Sequence, residues 1–233
     1  MGIAENLHVV RERVAAAALG SGRQPGEIVL VGATKMNDAG RIQEAIGAGL
    51  AVCGENRVQE FLEKEPQGAY RGAEVHFIGH LQKNKAKHLV ARVSLIQSVD
   101  SLELLSLISR LALERGIRQQ VLLEVNVAGE TAKSGFRPED VSAAIDAAAQ
   151  YEGVLVRGLM AVPPICRESQ ENIPYFQLMK QLFIDNGAKK YDNVSMGFLS
   201  MGMSGDYETA IACGANMVRI GSAIFGQRIY PAR

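Results

Sequence analysis

Along the chain, short apolar runs alternate with longer stretches in which apolar residues recur every three or four positions. Residues 5–19 carry Leu7, Val10, Val14, Ala17 and Ala18 at helical spacing with charges between them, which predicts an amphipathic first helix. Candidate strands follow at 28–33, 51–53, 75–78, 95–99, 120–126, 155–160, 193–196 and 217–220. Helical patterns come after them, for example over 101–115, 138–150 and 174–186.

These strands read as continuous apolar runs, the pattern of a parallel sheet covered on both faces. Eight such units predict an α/β fold closed as a (β/α)8 barrel of the TIM type. An open doubly wound sheet would carry a phosphate fingerprint after its first strand, and Gly32-Ala33-Thr34-Lys35 is not GxGxxG. The helix ahead of strand one would cap or flank the barrel. A length of 233 residues is close to the ~250 typical of such a barrel. With no linker in view, a single domain over 1–233 is expected, without a second domain.

Composition narrows the function. Lys and Arg total 25 against 25 Asp and Glu, so no global charge points to nucleic acid or an anionic membrane. The basic segment from His80 to His88 reads as a solvated helix face. Cys53, Cys166 and Cys213 form no CxxC pair, so neither a zinc site nor a disulfide framework is suggested, and no paired-histidine metal site or serine triad stands out. Charges at Glu5, Arg11, Glu12 and Arg13 interrupt any signal peptide, and no apolar run reaches the ~18 residues of a membrane span. A soluble, cytoplasmic protein is expected.

In a barrel of this kind the chemistry lies at the C-terminal ends of the strands. Lys35 closes strand one, where apolar walls would favour a neutral, nucleophilic amine able to form a Schiff base. A lysine snorkelling from the barrel mouth is the plainer alternative. Loops after strands seven and eight are the usual phosphate binders of such barrels. Here they read 199–206, with Ser200, Met201 and Ser204, and 219–226, with Gly221 and Ser222. The second is the better phosphate candidate, because Asp206 and Glu208 follow the first. Arg219 lies in the apolar run 217–220, where an inward guanidinium would need an anion or a strong acceptor such as a phosphate or a ring nitrogen. Asn56, His76, His80 and Asn126 fall at other strand ends, although Asn56 also reads as a helix cap.

Several blocks together carry a resemblance: Gly54-Glu-Asn-Arg-Val-Gln-Glu60, His76-Phe-Ile-Gly-His-Leu-Gln82, Val125-Asn-Val-Ala-Gly-Glu130, Lys133-Ser-Gly-Phe136, Gly158-Leu-Met160, Leu199-Ser-Met-Gly-Met-Ser204 and Val218-Arg-Ile-Gly-Ser222. In this order they resemble the pyridoxal phosphate homeostasis proteins, the YggS/PROSC family. The resemblance implies a barrel like the N-terminal domain of alanine racemase, PLP fold type III-like, with pyridoxal 5′-phosphate (PLP) on the strand-one lysine, Lys35. It also implies a cofactor shell of Asn56, Ser200, Met201, Ser204, Arg219, Gly221 and Ser222. The phosphate would fall mainly to Gly221, Ser222 and the Ser200 region, with Arg219 open between phosphate and ring nitrogen. One departure is visible: many members carry a Ser-Lys-Thr stretch and a following proline, where this chain reads Thr34-Lys35-Met36-Asn37-Asp38.

Two functions follow from that shell. One is a PLP carrier of vitamin B6 homeostasis, a monomer or weak dimer that buffers the aldehyde and delivers it to PLP-dependent apoenzymes. The other is a PLP-dependent amino-acid racemase or a related PLP enzyme. A two-base racemase needs a second acid/base opposite the lysine. In alanine racemases that group is a tyrosine of a C-terminal domain, which the chain ending at Arg233 is expected to lack. An arginine facing the ring nitrogen would also weaken the electron sink. The carrier is therefore expected, with Tyr191, Tyr207 and Tyr230 as the tyrosines a racemase would have to recruit.

Overall fold

A computed structural model describes residues 2–131 and 133–226. Its strands are β1 (Val29–Ala33), β2 (Val52–Glu55), β3 (Glu74–Phe77), β4 (Leu95–Val99), β5 (Gln119–Val125), β6 (Val154–Ala161), β7 (Val194–Ser200) and β8 (Met217–Ile220). They close in sequence order into a barrel, every neighbouring pair parallel. The eight-stranded α/β barrel expected from the pattern is the fold.

The helices are α1 (Ile3–Gly20), α2 (Ala39–Gly47), α3 (Val58–Lys64), α4 (Leu102–Leu113), α5 (Val141–Ala148), α6 (Ile173–Gly187), α7 (Tyr207–Ala212) and α8 (Ser222–Phe225). Between β3 and β4 the connection is a 3-10 turn, Lys83–His88, in which only Ala86 is buried. A run with so few apolar positions has no face wide enough to dock an α-helix. α1 flanks the barrel and does not plug its floor. Leu7, Val10 and Val14 enter the outer core, Asn6 Nδ2 donates to the Ile224 carbonyl at 3.0 Å, and Arg23 donates to the Ala215 carbonyl at 2.7 Å.

Two apolar layers result. Side chains facing the helices form the large outer core, while Val31, Ala33, Ile78, Leu95, Leu122, Met160 and Met217 fill the barrel itself. β4 and β8 are buried along their whole length, as strands covered on both faces are, and each holds a buried polar side chain, Gln97 in β4 and Arg219 in β8.

The end of strand seven departs from the sequence expectation. β7 continues through Gly197 to Ser200, so Ser200 is the last residue of a strand and not part of the loop after it. The ladder to β6 (Gly158↔Phe198, Leu159↔Leu199, Met160↔Ser200) carries the strand past the glycine. This requires a bulge at Gly158, which has φ 144° and where a Cβ would stand 1.9 Å from the Phe198 carbonyl oxygen. On its other side β7 meets β8 at one paired position, Ser200↔Met217. Below it the Asn216 side chain bridges the strands, accepting from the Leu199 amide and donating to the Gly197 carbonyl, both at 2.7 Å.

Candidate functional site

Lys35 stands two residues beyond β1, half-buried at the mouth. Its loop is pinned on both sides. Thr34 donates from Oγ1 to Glu55 Oε1 at 2.6 Å and to the Gly54 carbonyl at 3.1 Å. Met36 takes the left-handed conformation, φ 61°, and its amide donates to Glu60 Oε2 at 2.8 Å. Lys64 joins the two ends: its ammonium reaches the Thr34 carbonyl at 3.1 Å, Glu55 at 2.8 Å and Glu60 at 2.9 Å. Tyr70 Oη completes the cluster on Glu55 at 2.9 Å. Burial raises the Glu60 pKa, but the Met36 amide and Lys64 outweigh it, and the carboxyl ends below its ordinary value. Burial and the Glu55 charge push the Tyr70 hydroxyl well above its usual range.

The loops after β7 and β8 come together beside the end of β1. Ser204 Oγ accepts the amide protons of Gly221 at 3.1 Å and of Ala223 at 3.4 Å. Gly221 lies against the end of β1: a Cβ there would sit 3.4 Å from the Ala33 Cβ. Ser222 is exposed at the same turn. A hydroxyl oxygen thus rests where two backbone N–H groups converge, as an anionic oxygen would.

Arg219 points into the barrel. It is buried, Nη1 donates to Ser200 Oγ at 2.7 Å, and Nη2 donates to the Ala161 carbonyl at 2.9 Å. Burial lowers its pKa to about 10, against the opposing charges of Glu124 and Asp206. Ser200 uses its own proton on Gln97 Oε1 at 2.7 Å, so this hydroxyl braces Arg219 from below. Met201 alternates to the opposite side of the sheet. Its side chain packs in the outer core and its amide is taken up by the Met217 carbonyl at 3.1 Å, so neither is free for a phosphate.

Asn56 is not the cap of α3, whose N-cap is Arg57. Its Oδ1 is buried without a hydrogen-bond partner, and its backbone is so close to Gly79 that a Cβ there would stand 2.1 Å from the Asn56 carbonyl oxygen. A second orphaned acceptor, Glu124 Oε2, lies at the end of β5. Burial pushes Glu124 up to about 7, Asp100 adds to the rise and Arg219 opposes it. His80 Nδ1 rests near Ser134 at 3.0 Å and Asp100 at 3.2 Å on the rim. Asn126 holds its own loop, donating to the carbonyls of Glu130 at 2.8 Å and Lys133 at 3.1 Å. His76 belongs inside the barrel and not at its mouth, with Nδ1 3.0 Å from Gln97 Nε2.

The tyrosines lie elsewhere. Tyr191 donates to Asp146 of α5 at 2.9 Å, on the outer surface ahead of β7, and Tyr207 is packed in the outer core beneath Arg13. Tyr230 lies outside the described residues.

Residues 3–229 match the family model described as alanine racemase, N-terminal domain. Pyridoxal phosphate homeostasis proteins are similar over the full chain. The one from Aquifex aeolicus is 42% identical over 230 residues, covering 99% of this chain and 100% of that one. The one from Escherichia coli K12 is 36% identical over 231 residues, covering 98% and 97%. The chain belongs to the pyridoxal phosphate homeostasis protein family. Among solved structures, PipY of Synechococcus elongatus with PLP bound superposes with a TM-score of 0.80 at 30% identity, covering 96% of this chain and 100% of that one. Alanine racemase of Clostridium difficile, at 16% identity and TM-score 0.71, shares the fold, and this chain spans 58% of it. For a pyridoxal phosphate homeostasis family member, the orphaned Asn56 oxygen, the two converging amides at Ser204 and the strand-end lysine suit a ring, a phosphate and an aldehyde respectively.

Proposed function

We propose that this chain binds PLP at the barrel mouth through Lys35 and serves vitamin B6 homeostasis, holding the cofactor and supplying it to PLP-dependent apoenzymes. The observation that carries the reading is the meeting of the β1 end, two residues before Lys35, with the Gly221 turn and its pair of convergent amides. PLP supplies an aldehyde that condenses with a neutral primary amine. The chain's own residues do the rest. Gly221, Ala223, Ser204 and Ser222 would hold the phosphate, Asn56 Oδ1 would accept a hydrogen bond from the ring side, and Arg219 would add fixed positive charge from within. The clamped backbone at Thr34 and Met36 would hold Lys35 at the mouth.

Relatives similar to this chain over nearly their full length are named for homeostasis and not for a reaction. The positions of Tyr191 and Tyr207 argue the same way, since neither stands at the mouth to serve as a racemase's second base. Three free cysteines suit a reducing, cytoplasmic setting, and among the described residues no helix is long and apolar enough to cross a membrane.

Borohydride reduction of PLP-loaded protein followed by peptide mapping tests the site. The label should fall on the peptide containing Lys35 and disappear in Lys35→Ala. Labelling that persists at another lysine in that variant, or robust PLP-dependent racemisation by the wild type, would overturn the reading.

A further inference from the structure

We propose that Gln97 and His76, buried in the barrel beneath the mouth, are positioning residues that fix the guanidinium of Arg219 toward the cofactor through Ser200. The inference rests on PLP occupying this mouth and assigns a role to two residues outside it.

The argument begins with arginine, which can only donate hydrogen bonds. Arg219 Nη1 lies 2.7 Å from Ser200 Oγ, so that oxygen is an acceptor there. Among the described residues the serine proton goes to Gln97 Oε1 at 2.7 Å. This fixes the Gln97 amide with its oxygen toward Ser200 and its nitrogen toward His76 Nδ1 at 3.0 Å and the Met217 sulfur at 3.2 Å. The nitrogen donates, so His76 Nδ1 accepts and the ring is neutral with its proton on Nε2. Burial acts in the same direction and pushes the His76 pKa down to about 4. Turning the amide over would set an NH2 group against a hydroxyl already holding the Arg219 proton and strand the serine proton.

Each bond direction follows from the one before, and together they leave Arg219 one arrangement. All four residues are buried, so water does not compete for the links. The Ala161 carbonyl takes Nη2 at 2.9 Å, which stops the guanidinium from rotating about its contact with Ser200. The charges facing the chain are Glu124 and Asp206 around Arg219, and Glu74 3.7 Å from His76 Nε2. A loose arginine beside Glu124 would swing toward that carboxylate. The relay from Gln97 holds it at Ser200, on the β7–β8 side of the mouth where the Gly221 turn lies.

A double-mutant cycle on the full chain tests the relay. Gln97→Met keeps volume and removes both polar ends. It is expected to weaken PLP about tenfold, or about 1.4 kcal/mol, and to move the pH midpoint of the bound cofactor's visible absorbance band. A packing role would lower the melting temperature and leave that midpoint in place. In the Ser200→Ala background Gln97→Met should change affinity less than twofold, because the link is already cut. His76→Leu frees the Gln97 amide to invert and should shift affinity and midpoint the same way by about threefold, and it carries the test alone if Gln97→Met does not fold. Affinity within twofold of wild type and an unchanged midpoint in the folded variants overturn the proposal, as do effects of Gln97→Met and Ser200→Ala that multiply in full. If the wild type itself binds no PLP, the cofactor reading fails. If it binds PLP and the variants match it, only the relay fails.

Discussion

The amide of Met36 donates to the Glu60 carboxylate at 2.8 Å, one residue beyond the lysine that follows β1. Met36 has φ 61°, a conformation that costs a residue with a Cβ roughly 1–2 kcal/mol. The bond to Glu60, itself held by Lys64, keeps the chain in that turn and so fixes where Lys35 leaves the strand.

Glu60→Gln should therefore lower the melting temperature and slow borohydride trapping of PLP on Lys35. Met36→Gly in the same background should recover part of both, since glycine enters the left-handed region freely. The Glu60 pKa lies below its ordinary 4.5, so its contribution is present above that value and is lost as acid titrates the folded protein below it. Acid denaturation of wild type and Glu60→Gln should converge at low pH, which circular dichroism can follow.

Ser204→Ala removes the hydroxyl on which the Gly221 and Ala223 amides converge. PLP affinity should fall about tenfold, on the scale of one hydrogen bond to a charged group, about 1.5 kcal/mol. Pyridoxal, which lacks the phosphate, should bind the variant and the wild type within twofold. Equal losses for both ligands would move the phosphate elsewhere.

Gly79→Ala places a methyl 2.1 Å from the Asn56 carbonyl oxygen and 2.7 Å from its Cα. The backbone at Asn56 must yield, at about 1–3 kcal/mol of overpacking. PLP titration and urea melts should both register the change, with affinity reduced because the orphaned Asn56 oxygen moves with its backbone.

Glu124 contributes one pH dependence of the ligand-free protein, opposite in sign to that of the buried His76. Its folded pKa is raised from 4.5 to about 7, so the folded state binds the extra proton between those values. The contribution is fully present below about pH 4.5 and is lost as pH rises through 7, on the order of 3 kcal/mol. Glu124→Gln should gain stability relative to wild type at pH 8 and little at pH 4.5, a difference that thermal melts at the two pH values can read.

Much of this was legible in the residues. The barrel followed from apolar strands such as Val29–Ala33 spaced by amphipathic helices. Lys35 and Arg219 stood out because a charge closing or interrupting such a strand needs a reason. Gln97 breaks the same kind of run but carries no charge, so the argument that found Arg219 passed over it. Ser200 lies beyond the apolar run that ends at Met196, and the ladder to β6 is what carries the strand on to it. Met201 was grouped with its neighbours, while strand alternation turns it to the other side of the sheet. The Thr34–Glu55–Lys64–Glu60 cluster joins two strand ends to a helix, and no local pattern encodes a tertiary meeting of that kind.

β7 and β8 share one paired position, with the Asn216 side chain spanning the gap below it. Ser204 and Gly221 belong to the segments that leave these same two strands. A phosphate gripped by both would act as a clasp on the thinnest join in the wall. Resistance to heat would then climb with free ligand as RT ln(1 + [L]/Kd), so the tightness of the barrel becomes a gauge of how much cofactor surrounds it.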